Sequence, residues 1–173
     1  MVGRKKKWKK RSVGNQEQPS QPEFTFFLDE TLFNCAPIHA ALTKSKVAFV
    51  RHDELFKSGT YDQDWLPIVG QKRLVVLTSD KRIRFNDLER AEVIEHGVRQ
   101  FVFSSGHLSG QMMGELLSKA MPKIQEIVAT QEAPFIACIT KSGNVEVRYD
   151  SRGSVFQRRK KDSEAARKSN EDE

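Results

Sequence analysis

The sequence predicts an α/β fold in which helices cover both faces of a mostly parallel central sheet, flanked by basic tails. Three observations predict it. Short β-rich runs alternate with amphipathic segments through residues 24–130, the pattern of strands joined by crossover helices. The third of these runs, residues 73–78, is apolar almost throughout, as a strand buried on both faces must be. The first and third runs also end in acid, Asp29 with Glu30 and then Asp80, and open parallel sheets bind ligands at such strand tips.

The first strand spans residues 24–29. Pro37 suits the first turn of a helix reaching Thr43, with Ile38, Ala41 and Leu42 turned inward. Residues 46–51 form the second strand, and His52, Asp53 and Glu54 leave its tip. A turn-rich connection over 57–61 leads into a helix over 62–70, which buries Trp65, Leu66, Val69 and Ile68. Residues 73–78 form the third strand. Asn86 with Glu89 makes a capping-box-like start for a helix that ends at His96, before Gly97. Residues 98–103 are the fourth strand, ending in Ser104, Ser105 and Gly106. A long helix over 109–130 carries Met113, Leu116, Leu117, Ala120, Ile124, Ile127 and Val128 on one broad face. A hairpin of 135–140 with 145–149, turning at Ser142, Gly143 and Asn144, closes the domain.

The expected domain is therefore 23–149, with a disordered basic tail at 1–22 and a charged C-terminal tail at 150–173 that is disordered or a frayed helix. Residues 1–22 hold seven Lys/Arg against one Glu, as much excess charge as the whole chain's +6, so the body between the tails is near neutral. The run from Arg4 to Arg11 encloses Trp8 and suits phosphate contacts plus base stacking, or is a solvated tail. No apolar stretch approaches the ~20 residues of a membrane span, and no apolar segment follows the basic start as in a secretory signal. Cys35 and Cys138 have no CxxC partner and no histidine at ligand spacing. They read as small hydrophobes in a reducing cytoplasm, excluding a zinc or disulfide framework.

Two parallel tips side by side bring Asp29 and Asp80 within reach of one hard cation, Mg²⁺ or Mn²⁺, which takes oxygen ligands. The alternative for each is a helix N-cap. Glu30 is the neighbouring candidate. Asp62 and Asp64 lie at the start of the second helix, where one caps it and the other is free to supply a third carboxylate. Asp53 and Glu54 are reserves, and Asp87 is a first-turn helix acid favoured by the macrodipole. Thr78 can orient a water or hydrogen-bond a phosphate. Lys81, Arg82 and Arg84 form either a nucleic-acid contact or a solvated face. His107 lies in a turn-rich loop near the same edge. No P-loop, GxGxxG or Ser/His/Asp order stands out.

At Phe27-Leu28-Asp29-Glu30, then Gly59-Thr60-Tyr61-Asp62-Gln63-Asp64-Trp65, then Val75-Val76-Leu77-Thr78-Ser79-Asp80-Lys81, the chain resembles the PIN-like nuclease superfamily. Within it, the small PIN-like proteins of prokaryotic toxin–antitoxin loci are the nearest likeness. The resemblance covers roughly 24–149. It implies a three-layer α/β/α sandwich and an acidic pocket binding Mg²⁺ or Mn²⁺. It implies endonucleolytic cleavage of RNA leaving a 5′-phosphate, with a cognate antitoxin as partner and a homodimer by analogy. Asp29 and Asp80 match its metal-binding aspartates, and Asp62 or Asp64 its mid-domain acid. No fourth acid follows the fourth strand, where Ser104 and Ser105 stand.

Two rivals remain. A phosphoacceptor domain shares the acidic first tip and could use Ser104 and Lys141. A catalytically idle fold would bind RNA or protein through its tails.

Overall fold

The computed structural model describes residues 23–171; the basic run and spacer of 1–22 lie outside the described residues. The alternation read from the sequence builds one seven-stranded sheet. Its strands are β1 (Thr25–Leu28), β2 (Ala48–Arg51), β3 (Val75–Thr78), β4 (Arg99–Phe103), β5 (Phe135–Ile139), β6 (Val145–Asp150) and the short β7 (Gly153–Ser154). They are ordered β2-β1-β3-β4-β5-β6-β7. The first five are mutually parallel, and β6 and β7 add antiparallel. From β1 the chain passes outward to β2, returns across β1 to β3, and then continues in that direction to β4 and β5. The order therefore reverses between β1 and β3, and crevices open at such switch points.

Successive strand residues face opposite sides, and the core divides accordingly. Phe26, Leu28, Val75, Leu77, Phe101 and Phe103 pack against α1 (Ala36–Lys44) and α5 (Gly110–Thr130). Phe27, Val76 and Val102 pack on the other face against α3 (Asp62–Gln71) and α4 (Asp87–Glu95). Each fully buried Phe or Leu contributes roughly 1.5–3 kcal/mol relative to exposure. Helices α1 and α5 approach closely because residue 114 is glycine: a Cβ there would sit 2.8 Å from the Pro37 carbonyl oxygen. Asn86 caps α4 as the sequence predicts, accepting from Leu88 N–H at 3.0 Å and donating to Glu89 Oε1 at 2.8 Å. Ser109 caps α5.

Three expectations need correction. Strands β2 and β3 start two residues later than expected, at Ala48 and Val75. The preceding helices end in a Schellman turn whose left-handed residue is basic rather than Gly: Lys46 at φ 57° and Arg73 at φ 55°. In the first, Lys46 N–H donates to Thr43 and Val47 N–H to Leu42; in the second, Arg73 N–H donates to Gly70 and Leu74 N–H to Val69. After α4 the same turn uses Gly97, at φ 66°. Neither Asp62 nor Asp64 caps α3, whose N-cap is Tyr61. Ile68 is 39% exposed rather than buried. Of the two alternatives for the C-terminal tail, disordered or helical, the structure shows a helix, α6 (Val155–Glu171). Its start is anchored at the end of β6, where Asp150 accepts from Arg158 at 2.6 and 2.9 Å.

A short helix, α2 (His52–Leu55), also follows β2 directly. There Arg51 pairs with both reserve acids, Asp53 at 3.2 Å and Glu54 at 3.1 Å, which ties them to local capping. Among the described residues no helix is long and apolar enough to cross a membrane.

Candidate active site

The side-chain alternation that sorts the core also places the acids. Thr78 follows Val76 on the α3/α4 face of β3, and Asp29 follows Phe27 on the same face of β1. The two meet at the switch point, where the Thr78 hydroxyl donates to Asp29 Oδ2 at 2.5 Å. It accepts in turn from the Asp80 N–H at 2.9 Å. The other Asp29 oxygen, Oδ1, accepts from the Thr31 hydroxyl at 2.6 Å and from the Thr31 N–H at 3.1 Å. The Thr31 hydroxyl also accepts from Ser79 N–H at 3.0 Å, stitching the β1 and β3 tips together. These groups line a cleft of about 140 Å³ between the sheet and helices α3 and α4. Its walls include Asp29, Glu30, Thr31, His52, Asp62, Trp65, Thr78, Asp80, Arg82, Glu89 and Gln100.

Asp29 is half-buried and has neutral donors only. Burial therefore dominates, the Thr31 and Thr78 bonds offset part of it, and Asp62 opposes ionisation further, so its pKa is raised to about 6. Asp62 enters from the first turn of α3 and accepts from Trp65 Nε1 at 3.0 Å. Cover over its carboxyl raises its pKa, the Trp65 bond opposes this, and the Asp80 charge adds to the rise. Asp80 goes the other way. Its carboxylate caps the 3-10 turn Lys81–Arg84 by accepting from Arg82 N–H at 2.9 Å. The Arg82 guanidinium also donates to both its oxygens, at 2.9 and 2.5 Å to Oδ2 and 3.1 Å to Oδ1. Those bonds hold its pKa below the usual range.

Of the residues expected from sequence, Asp29, Asp62, Asp80, Thr78, Glu30 and Arg82 are gathered at the cleft, and Asp64 is not among its lining residues. Asp64 is exposed; two residues along a helix from Asp62 place it on the far side. Glu30 is exposed and its carboxylate is engaged. It accepts from Gly59 N–H at 2.7 Å and lies 3.7 Å from His52 Nδ1. The Gly59 bond, foremost, lowers its pKa. Glu30 thereby ties the loop that delivers Asp62 to the β1 tip. The Arg84 expectation falls on a side chain outside the described residues.

Sequence reasoning missed Thr31, although a threonine two residues after a strand-end aspartate is an Asx-turn pattern. It also missed His52, which is 2% exposed with a buried Nε2 that has no hydrogen-bond partner. Nothing in the sequence marks that residue.

The donors are mostly carboxylates and hydroxyls, a set suited to a hard divalent cation. In chemistry they fit Mg²⁺ or Mn²⁺. As arranged, no three His, Cys, Asp or Glu side chains among the described residues are close enough to enclose an ion. Arg82 occupies the Asp80 carboxylate, so an ion held through Asp80 would require that guanidinium to swing aside.

Residues 24–105 match a family model described as PIN like domain. The match spans both strand tips that carry the cleft acids, and it agrees with the α/β architecture expected from the sequence. No curated protein and no solved structure matched.

Proposed function

From the match of residues 24–105 to a PIN-like domain model we propose that the protein is a metal-dependent endoribonuclease, hydrolysing RNA phosphodiester bonds with Mg²⁺ or Mn²⁺. The observation that carries this reading is Asp29. It is a carboxyl at the switch point, pushed up to about 6, with hydroxyls on both oxygens and no cation among the described residues beside it. Such a group is poised to gain from an added positive charge. Asp29, Asp62 and Asp80 would hold the ion. Its chemistry there is to neutralise the scissile phosphate and to acidify a bound water. Thr31 and Thr78 fix the plane of the Asp29 carboxylate, and Asp62 orients the attacking water. Arg82, once released from Asp80, turns to the RNA backbone. A toxin role opposed by a cognate antitoxin belongs to the same proposal through the sequence resemblance. Growth arrest on induction, relieved by co-expressing an adjacent gene, tests it.

The direct test incubates defined RNAs with and without Mn²⁺. Cleavage to 5′-phosphate ends should require the ion and be lost in Asp29→Asn, Asp62→Asn and Asp80→Asn. Asp64→Asn should keep at least half the wild-type rate. Undiminished cleavage in EDTA rules the proposal out.

One observation favours a second reading. The order 2-1-3-4-5 is also that of flavodoxin-like phosphoacceptor domains. Against it, Asp80 lies two residues beyond β3 and its carboxylate is closed by Arg82. Labelling by acetyl phosphate that vanishes in Asp80→Asn would favour that reading over the nuclease.

A further inference from the structure

The strand tip beside the acidic cleft carries a cation, Lys81, that no acid among the described residues neutralises. Lys81 opens the 3-10 turn after β3, and its half-buried side chain reaches across to the loop after β4. A Cβ built on Gly106 would lie 2.3 Å from Lys81 Nζ and 3.4 Å from Lys81 Cε. The ammonium therefore sits in the notch left by the missing side chain. Gly106 is not among the residues with positive φ, so the requirement there is space rather than backbone freedom. Arg82, one residue on, folds back onto Asp80, whereas Lys81 forms no ion pair among the described residues. An ammonium has three donors and no acceptor, and leaving a half-covered one without an anion forgoes a charge-assisted bond. β3 and β4 are parallel neighbours with Thr78 opposite Val102. Their tips are thus one strand spacing apart, about 4.8 Å. The ammonium and the Asp29–Thr78 pair consequently share one edge of the sheet.

We infer that Lys81, seated on Gly106, is a phosphate subsite adjoining the acidic cleft, and that it holds a backbone phosphate of single-stranded RNA next to the one cleaved. The identity of the polyanion rests on the nuclease reading; the seat for the anion does not. A methyl group at residue 106 would push the ammonium out, with no strain on the backbone.

The test uses the full chain carrying Asp29→Asn, in EDTA, so that binding is read without cleavage. Affinity for an unstructured labelled RNA is measured across a salt series. Lys81→Met should weaken binding on the order of tenfold and reduce the salt slope by about one. Gly106→Ala should reproduce that loss with an unchanged melting curve, and the double variant should lose no more than either single one. Parent-like binding by Gly106→Ala, or additive losses in the double variant, overturns the seat. In parallel, inorganic pyrophosphate should protect Lys81 from reductive methylation, read by mass spectrometry in the otherwise native chain. Absence of protection overturns the subsite however RNA cleavage turns out. A chain that shows protection but neither binds nor cleaves RNA retains the anion seat and loses the nuclease reading.

Discussion

Asp29 and Asp150 lie at opposite edges of the same sheet, and their fates differ. Each is a largely covered carboxyl at a strand end. Asp150 is 6% exposed; it accepts from Arg158 at 2.6 and 2.9 Å and from Arg152 N–H at 2.8 Å. Burial pushes its pKa up, but the Arg158 and Arg152 bonds together bring it below the usual range. Asp29 meets only hydroxyls and an N–H, which are neutral, and burial prevails. Neutral donors satisfy lone pairs without compensating a charge. One acid is therefore a joint that fixes α6 to β6. The other keeps a charge that no cation among the described residues meets.

The largest effect that would sharpen this contrast is expected from Asp29→Asn. Cleavage should fall at least a thousandfold, while the ion-free protein becomes more stable above pH 6. The sign follows from linkage. A carboxyl raised from 3.8 to about 6 binds more protons folded than unfolded between those values. Stability is therefore undiminished below about pH 4, declines as pH rises to 6, and stays reduced above it. The ceiling of the penalty is about 3 kcal/mol, from 1.36 kcal/mol per pKa unit. Asparagine removes it but obliges one threonine hydroxyl to turn, so a gain of several degrees in Tm at pH 8 is expected. Melting curves from pH 4 to 8 decide it: a wild type with no decline across that window breaks the comparison.

At the other pole, Asp150→Asn should destabilise at every pH above 4. It strands Arg158, whose side chain is 29% exposed and so able to recover part of its hydration. A loss of about 1–3 kcal/mol is expected, short of the 3–5 kcal/mol for a fully buried pair. Amide exchange should rise through residues 155–165 of α6 first, with the rate of RNA cleavage at 20 °C unchanged. Exchange that rises equally throughout the sheet would mean that Asp150 serves the whole fold rather than this joint.

The same physics explains what could be read from the sequence. Alternating apolar runs exposed the parallel sheet, because burial on both faces leaves continuous β-branched and aromatic residues such as Val75, Val76 and Leu77. Acids at run ends exposed Asp29 and Asp80, because tips are where strands leave the core. The starts of β2 and β3 were hidden because Lys46 and Arg73 occupy left-handed positions where the sequence offers no Gly. The sequence left α6 open between disorder and a frayed helix because its polar sequence has little apolar face of its own; its root depends on Arg158 meeting Asp150, eight residues away. The clamp of Thr31 and Thr78 on Asp29 joins residues 49 positions apart, a relation that only strand order creates. The choice between Asp62 and Asp64 needed the true helix start, which Tyr61 sets.

Asp80 stands between the two poles, and Arg82→Ala should move it from one to the other. It lines the same cleft as Asp29, yet like Asp150 it is held low by an arginine. Because Arg82 is 77% exposed, solvent screens the pair and the stability change should be under 1 kcal/mol. The informative readout is ion binding. With the guanidinium gone, Asp80 Oδ2 is released while Oδ1 keeps only the backbone N–H of residue 82, and Asp62 loses a cation that now lowers its pKa. Mn²⁺ affinity, measured by calorimetry without RNA, should rise roughly threefold to tenfold, about 0.7–1.4 kcal/mol. RNA affinity should fall together with its salt slope, since the same guanidinium would otherwise contact phosphate. Unchanged or weaker Mn²⁺ binding would mean that Asp80 belongs with Asp150, as an acid already matched within the chain, and would remove it from the ion's ligands.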